Sequence, residues 1–307
     1  MFGFINLNKP SGFTSHDCVA KLRRLLDTKK VGHGGTLDPS ATGVLPIAVG
    51  KATRLLQFLP QPKAYRARIR LGVVTTTDDL EGEIIKTADT VDLDSINTDR
   101  VGDALNSFVG TIEQVPPIYS AIKKNGKKLY DLARKGEEVI VEPRTITISQ
   151  IELIDIQQSE FYELEIDVSC SPGTYIRAIA RDLGEVLGVG GTLASLIRTE
   201  SCGMCLNDSI TFEEIETQLN RETFSPIDPS LVLTHLGSVT LTPSSSKLWS
   251  QGQLIDLSEA IASDRLSVAK EGDYIVAYAE DRTFLGISIL FQRNEIMKIK
   301  PKIVCVN

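Results

Sequence analysis

Apolar positions recur along this chain with two periods, and each period predicts a different kind of element. Residues 64–71 alternate strictly, with Tyr65, Ala67, Ile69 and Leu71 on one face and Arg66, Arg68 and Arg70 on the other. This is the period-two signature of a half-buried strand. Tyr162, Leu164, Ile166 and Val168 alternate in the same way with Glu163, Glu165 and Asp167, so the two segments are candidates for cross-strand ion pairing. Helical spacing follows Thr14 and Ser15, which are good caps, with Asp17 in the first turn. There Val19, Leu22 and Leu26 face inward and Lys21, Arg23 and Arg24 outward. Residues 161–187 read as strand, Gly-containing turn and helix, the helix burying Ile176, Ile179, Leu183 and Val186 or Leu187. Arg177 falls in its first turn, beside the loop rather than along the buried stripe. A cation there opposes the helix dipole and calls for an anion, for which Asp38 is the candidate.

The first ten residues, MFGFINLNKP, read as a strand. Pro226, Pro229 and the turn-prone Thr242-Pro243-Ser244-Ser245-Ser246 bracket a boundary. Beyond it, residues 274–278 and 284–290 read as a hairpin across Glu280-Asp281. Ile299, Ile303 and Cys305 alternate roughly with Lys298, Lys300 and Lys302, which predicts a small β domain. The fold class expected is α+β, with a larger unit over 1–230 and a smaller one over 231–307.

Length and composition narrow this picture without changing it. A chain of 307 residues, 42% hydrophobic and 24% charged, suits a soluble globular protein of one large and one smaller domain. No apolar stretch is long enough to span a bilayer, and the first residues lack the basic and apolar regions of a secretory signal, so a cytoplasmic location is expected. Five scattered cysteines, at 18, 170, 202, 205 and 305, include one C-x-x-C without a second pair, so idle reduced thiols are expected rather than a metal site. The net charge of −7 argues against a polyanionic partner, but its distribution reverses that reading. Residues 1–70 carry 12 Lys/Arg and 3 Asp/Glu, a balance of +9, and the remainder carries −16. A polyanion responds to potential within roughly 8–10 Å, not to the average.

The basic third also holds the most informative stretch, residues 32–46, Gly-His-Gly-Gly-Thr-Leu-Asp-Pro-Ser-Ala-Thr-Gly-Val-Leu-Pro. It places one carboxylate, Asp38, in a run that is neither regular helix nor regular strand. Pro39 disfavours the α region at Asp38, and the glycines permit close approach of a planar ligand. A surface Asp-Pro turn is the other reading of the same residues. A second basic feature lies in residues 115–145, where Lys123, Lys124, Lys127 and Lys128 flank Asn125-Gly126, a hairpin dipeptide, and predict a projecting basic finger. A solvated hairpin is its plainer reading. Gly50-Lys51 is not a phosphate loop, because Leu45 and Ala52 stand where Gly and Ser/Thr are required. His16, His33 and His235 match no zinc spacing, and no nucleophile elbow supports a Ser-His-Asp triad.

The run at 32–46 resembles the second motif of the TruB family of pseudouridine synthases, with Gly32, Gly35, Leu37, Asp38, Pro39, Ala41, Thr42, Gly43, Leu45 and Pro46 in register. Leu7-Asn8-Lys9-Pro10-Ser11-Gly12 resembles the family's N-terminal Lys-Pro motif, and residues 65–79 its tyrosine-bearing strand. Pro116-Pro117-Ile118-Tyr119-Ser120-Ala121 resembles its RNA-gripping insertion, and Ser171-Pro172-Gly173-Thr174-Tyr175-Ile176-Arg177 its arginine motif. These five motifs span about 200 residues, and the likeness weakens beyond about residue 230.

The resemblance implies a mostly antiparallel mixed sheet flanked by helices, followed by a small PUA-like RNA-binding β-barrel. It implies isomerisation of uridine 55 in the T loop of tRNA, with the base flipped out of its stack and with no cofactor, metal or obligatory protein partner, by a monomer. Asp38 would be the essential carboxylate and Arg177 its partner. Tyr65 would stack on the flipped uracil, and Lys9 and Tyr175 would shape the pocket. His33 would occupy the place the base vacates, and Lys123, Lys124, Lys127 and Lys128 would grip RNA. For Arg66, Arg68 and Arg70, RNA contact and pairing with the acids of residues 163–167 both remain open. Two other functions fit the same motifs: a guide-RNA-directed enzyme of the dyskerin branch, against which the short tail argues, and a tRNA-folding chaperone, to which the intact Asp38 motif is superfluous.

Overall fold

The computed structural model describes the chain except residues 90–92, 94, 121–122, 125–126, 130–140, 267–268, 295 and 307. Nine strands form the larger sheet: β1 (Gly3–Lys9), β2 (Val31–His33), β3 (Thr42–Val49), β4 (Lys63–Leu71), β7 (Gly110–Gln114), β10 (Arg144–Gln158), β11 (Tyr162–Cys170), β12 (Gly191–Ser201) and β13 (Met204–Cys205). Two hairpins stand apart from it, β5 (Val73–Thr75) with β6 (Ile84–Thr87), and β8 (Lys123–Lys124) with β9 (Lys127–Lys128). The main path runs β1-β3-β12-β4-β11-β10-β7, with β2 on β3 and β13 on β12. The β3–β12 contact is parallel and the other pairings in this sheet are antiparallel. The backbone of β8 and β9 pairs as a hairpin should. The side chains of Lys123, Lys124, Lys127 and Lys128 and the Asn125-Gly126 turn lie outside the described residues.

The alternation in β4 and β11 fixes how they meet. Arg66 stands opposite Asp167, Arg68 opposite Glu165 and Arg70 opposite Glu163, and the pairs close at 2.8, 3.1 and 2.8 Å. The arginine face is thus neutralised across the strands. The Arg70 guanidinium also lies 3.5 Å from the centroid of the Phe161 ring. Solvated pairs of this kind contribute about 0–1 kcal/mol each, so the register is held mainly by the opposite face. There Tyr65, Ala67, Ile69 and Leu71 pack with Ile176, Ile179, Leu183 and Leu187 of α3 (Ile176–Val186) and with Val101, Ala104 and Leu105 of α2 (Thr98–Asn106). Two points about α3 are decided by the packing. Leu187 takes the last place in the buried stripe and Val186 is 56% exposed. Arg177 stands in the first turn as expected and is only 7% exposed, because segments from elsewhere in the chain close over it.

Under β1 and β3 lies a second core, made with α1 (Ser15–Leu25) and α4 (Phe212–Asn220), where Val19, Leu22 and Leu26 meet Leu45, Ile47, Phe212 and Ile215. Thr14 and Asp17 form a full capping box at the start of α1. After the short helix α5 (Pro229–Val232) comes a six-stranded sheet in the order β15-β19-β18-β17-β14-β16. Its strands are β14 (Gly237–Leu241), β15 (Ile255–Asp256), β16 (Ala260–Asp264), β17 (Tyr274–Ala279), β18 (Phe284–Arg293) and β19 (Ile296–Val304). The sheet curls around its own core, in which Trp249 is fully buried with its indole N–H donated to Ser288 Oγ at 2.9 Å. Trp249 belongs to α6 (Pro243–Ser250), and here the sequence reading erred: Thr242-Pro243-Ser244-Ser245-Ser246 is not a connecting turn but a helix start. The Thr242 side chain accepts from Ser245 N and Pro243 occupies the first helical position. Threonine, proline and serine serve turns and helix starts equally well, and the buried Trp249 decides between them.

The two sheets share a third core. Phe4, Val44 and Ala48 from the first, with Leu55 and Phe58 of the short turns after β3, pack with Val276, Phe284, Ile287 and Ile303 from the second. Lys51 Nζ donates to the carbonyls of Cys305 and Val306, at 3.1 Å each. Among the described residues no helix is long and apolar enough to cross a membrane.

Candidate active site

Asp38 stands on the loop between β2 and β3, and the chain on either side of it is tied down. Leu37 is buried, its N–H donating to Ser15 Oγ at 2.9 Å. The Pro39 carbonyl accepts from Gly12 N at 2.9 Å and from Lys9 Nζ at 3.0 Å, and Ala41 N closes a turn on the Asp38 carbonyl at 3.2 Å. Lys9 is fully buried and also donates to the carbonyls of Phe13 and Pro10, at 2.7 and 2.9 Å. Burial depresses the pKa of its ammonium, against the pull of Cys18 and Asp38. Lys9 therefore lies beneath the loop as a three-carbonyl anchor and does not line the cavity. The Asp38 side chain, 42% exposed, points out of this rigid mount.

It faces Arg177. The guanidinium Nε lies 3.1 Å from Asp38 Oδ2, and the remaining nitrogens are equally engaged. Nη1 meets Asp79 Oδ2 at 3.3 Å and donates to the Thr77 carbonyl at 3.2 Å, while Nη2 donates to the Tyr119 carbonyl at 3.1 Å. One turn on, Arg181 pairs with Asp78 at 2.9 Å, and burial raises the Asp78 pKa while Arg181 and Arg177 lower it. Tyr175, the residue before α3, is clamped by Gln114. Its N–H donates to Gln114 Oε1 at 2.9 Å and its carbonyl accepts from Gln114 Nε2 at 3.1 Å.

These groups surround a cavity of about 790 Å³ lined by Asp38, Lys63, Tyr65, Asp79, Tyr175 and Arg177, among others. A cleft of this size accepts a nucleotide with room for its neighbours. Burial raises the pKa of both phenols, Tyr65 and Tyr175, and for Tyr65 the charge of Arg198 opposes the rise. The site therefore offers one accessible carboxylate, a guanidinium holding it, and neutral aromatic walls. Among the described residues no cluster of three or more His, Cys, Asp or Glu is placed to hold a metal ion. His33 lies outside the cavity, its ring edge-on to His16 at 5.4 Å between centroids, and its pKa is lowered by burial first and by His16 and Arg198 next.

Sequence reasoning missed several residues that the structure brings here. Asp79 and Thr77 end the stretch 65–79 likened to a tyrosine-bearing strand and were given no role there; they lie in the turn after β5. Arg198 of β12 is fully buried, donating to the carbonyls of Val44, Thr36 and Gly35 at 2.7, 3.2 and 3.2 Å. Lys63 shares a strand face with Tyr65, and that parity was the available signal. Gly43, at φ +98°, passes so close to Arg198 that a Cβ there would lie 2.3 Å from the Arg198 carbonyl oxygen.

The family described as TruB family pseudouridylate synthase (N terminal domain) matches residues 23–176, half the chain, including Asp38, Tyr65 and Asp79. The chain belongs to the TruB family. Its relatives of that family include the tRNA pseudouridine synthase B of Nostoc sp., 55% identical and covering 94% of this chain and 95% of the relative. That of Microcystis aeruginosa is 50% identical and covers 99% of each. Among solved structures, a chain from "Structure of H/ACA RNP bound to a substrate RNA containing 2'-deoxyuridine" aligns with a TM-score of 0.74 at 25% identity, over 99% of this chain and 86% of that one. A chain from a Cbf5-Nop10-Gar1 complex aligns with a TM-score of 0.72 at 26% identity, over 100% and 84%. The mostly antiparallel mixed sheet and the curled second sheet are thus the TruB family architecture expected for this sequence.

Proposed function

We propose that this protein is the tRNA pseudouridine synthase that isomerises uridine 55 in the T loop, with Asp38 as the essential carboxylate. The reaction cleaves the bond from C1′ to N1, turns the base, joins C1′ to C5, and moves the C5 proton so that N1 ends protonated. Nothing is oxidised or reduced. What it requires is a positioned carboxylate beside a base withdrawn from its stack. The observation that carries the reading is the Asp38–Arg177 pair at 3.1 Å on the wall of a nucleotide-sized cavity. In this reading Arg177 orients Asp38, Tyr65 stacks on the uracil, Tyr175 closes the opposite wall, and Lys9 keeps the catalytic loop from shifting. His33, outside the cavity, takes the space the base leaves in the RNA loop. The basic finger carrying Lys123, Lys124, Lys127 and Lys128 grips the backbone. Residues 1–230 form the catalytic unit and 231–307 a PUA-like RNA-binding unit, in a cytoplasmic monomer that works without a protein partner.

Relatives named for tRNA share 44–55% identity with this chain, against 24–26% for chains of guide-RNA assemblies, and this favours tRNA as substrate. The test is pseudouridine mapping of a tRNA transcript incubated with the purified full chain and no added cofactor. Conversion at position 55 is expected. Its absence at stoichiometric protein would overturn the proposal.

A further inference from the structure

One cation on the cavity wall, Lys63, and one buried behind it, Arg198, meet no carboxylate among the described residues. Lys63 opens β4 and points to the same side as Tyr65, with its ammonium left without a hydrogen-bond acceptor or ion-pair partner among the described residues. The groups that act on it electrostatically are Arg198, Cys202 and Cys170, a guanidinium and two thiols. Arg198 spends its donors on the carbonyls of Val44, Thr36 and Gly35 and likewise has no carboxylate partner. The two lie together: a methyl group on Gly35 would sit 3.3 Å from Lys63 Nζ and 3.7 Å from Arg198 Nη1. Paired arginines elsewhere in the fold, in β4 and α3, all meet acids.

A partly buried ammonium held beside a second cation is costly in the free protein, and burial and Arg198 both depress its pKa. Such a group is stabilised when an anion arrives. Position selects the anion. Both residues line the cavity; Tyr65 is buried, whereas Lys63 is half-buried and lies two residues away along β4, roughly 7 Å. If the ring of the flipped uridine lies on Tyr65, the uncharged base is met there, and a phosphate flanking that nucleotide is the anion within reach of a cation about 7 Å away. We infer that Lys63 is a positioning residue that takes a phosphate oxygen of the linkage flanking the flipped uridine and so fixes the nucleotide's depth in the cavity. The inference rests on the reading of the cavity as the uridine site.

The experiment uses the full chain, as wild type, Lys63→Met and Lys63→Arg, on a T-loop stem RNA. The RNA carries a single neutral methylphosphonate either 5′ or 3′ of the target uridine. On unmodified RNA, Lys63→Met should raise KM roughly tenfold or more, and Lys63→Arg should recover most of the loss. At one of the two linkages the methylphosphonate should weaken wild type by a similar factor and leave Lys63→Met unchanged. The thermal midpoint of Lys63→Met without RNA should equal or exceed that of wild type, because an unpaired, partly buried charge has been removed. Equal methylphosphonate penalties in wild type and Lys63→Met at both linkages would overturn the inference, as would a lowered midpoint with no rescue by arginine. Failure of wild type to form pseudouridine on unmodified RNA would instead defeat the functional reading itself.

Discussion

Arg177→Lys keeps the charge at the centre of the site and removes its fork. The guanidinium makes four contacts of 3.1–3.3 Å, to Asp38, Asp79, Thr77 and Tyr119, spread over three nitrogens. An ammonium is a point donor on a shorter stem and can satisfy one carboxylate with its nearest carbonyl, but not both carboxylates. Two charge-assisted contacts are then lost, at about 1.5–3 kcal/mol each. Water restores part of this at Asp38, whose side chain is 42% exposed, and little at Asp79, which is 13% exposed. A net loss of about 2–4 kcal/mol at the reacting carboxylate corresponds to roughly 30- to 900-fold in kcat. Single-turnover release of tritium from uridine labelled at C5 would measure it, and the affinity for tRNA should change little because phosphate contacts supply most of that binding. A kcat within threefold of wild type would refute the argument. Asp79→Asn tests the same network from its far side. Its effect and that of Arg177→Lys should be less than additive when combined, since both loosen one guanidinium.

Other outcomes follow from single features. Asp38→Asn should reduce turnover below about 1% of wild type, at least ~2.7 kcal/mol of barrier, with tRNA binding retained; a higher residual rate by pseudouridine mapping would remove Asp38 from the centre of the chemistry. Gly43→Ala drives a methyl group against the Arg198 backbone at a φ of +98°, and should lower stability by about 2 kcal/mol or more in a denaturant titration; an unchanged midpoint would show that β3 and β12 can part freely. His33 is held below its ordinary pKa of 6.5, so the unfolded chain takes up a proton there more readily than the folded one. Its contribution is complete above pH 6.5 and is lost as pH falls through the lower folded value, and His33→Phe should flatten the stability–pH curve in that window.

Elements whose signals are local were legible in the sequence. Strict alternation gave β4 and β11 and even their charge complement, and Thr14 with Asp17 marked the start of α1. Asp38 stood out through the resemblance of residues 32–46 to a family motif, since composition alone left an ordinary Asp-Pro turn equally open. Features that depend on approach from a distance were not. The Thr77–Asp79 run becomes part of the site because Leu80 N and Leu193 O hold it against β12, a contact 113 residues away in sequence. Arg177 is buried because that run and Tyr119 fold over it, and nothing near Arg177 in the chain encodes either. Arg198 reads as an ordinary strand arginine, and its role emerges where β12 meets β3 in parallel. The helix at 243–250 was hidden because its cap residues are also turn residues.

The core shared by the two sheets joins Phe4, Val44 and Ala48 to Val276, Phe284 and Ile303 across most of the sequence. Such a closure is a long-range event and falls late in folding. Until β17, β18 and β19 are in place, the first sheet keeps an apolar face in water, which makes the interval a time of vulnerability to misassociation. Once closed, the same core denies the second sheet the freedom of a tethered module. A load that RNA places on it reaches Val44 and Ala48 through packed side chains, and these stand on β3, the strand into which the Asp38 loop runs.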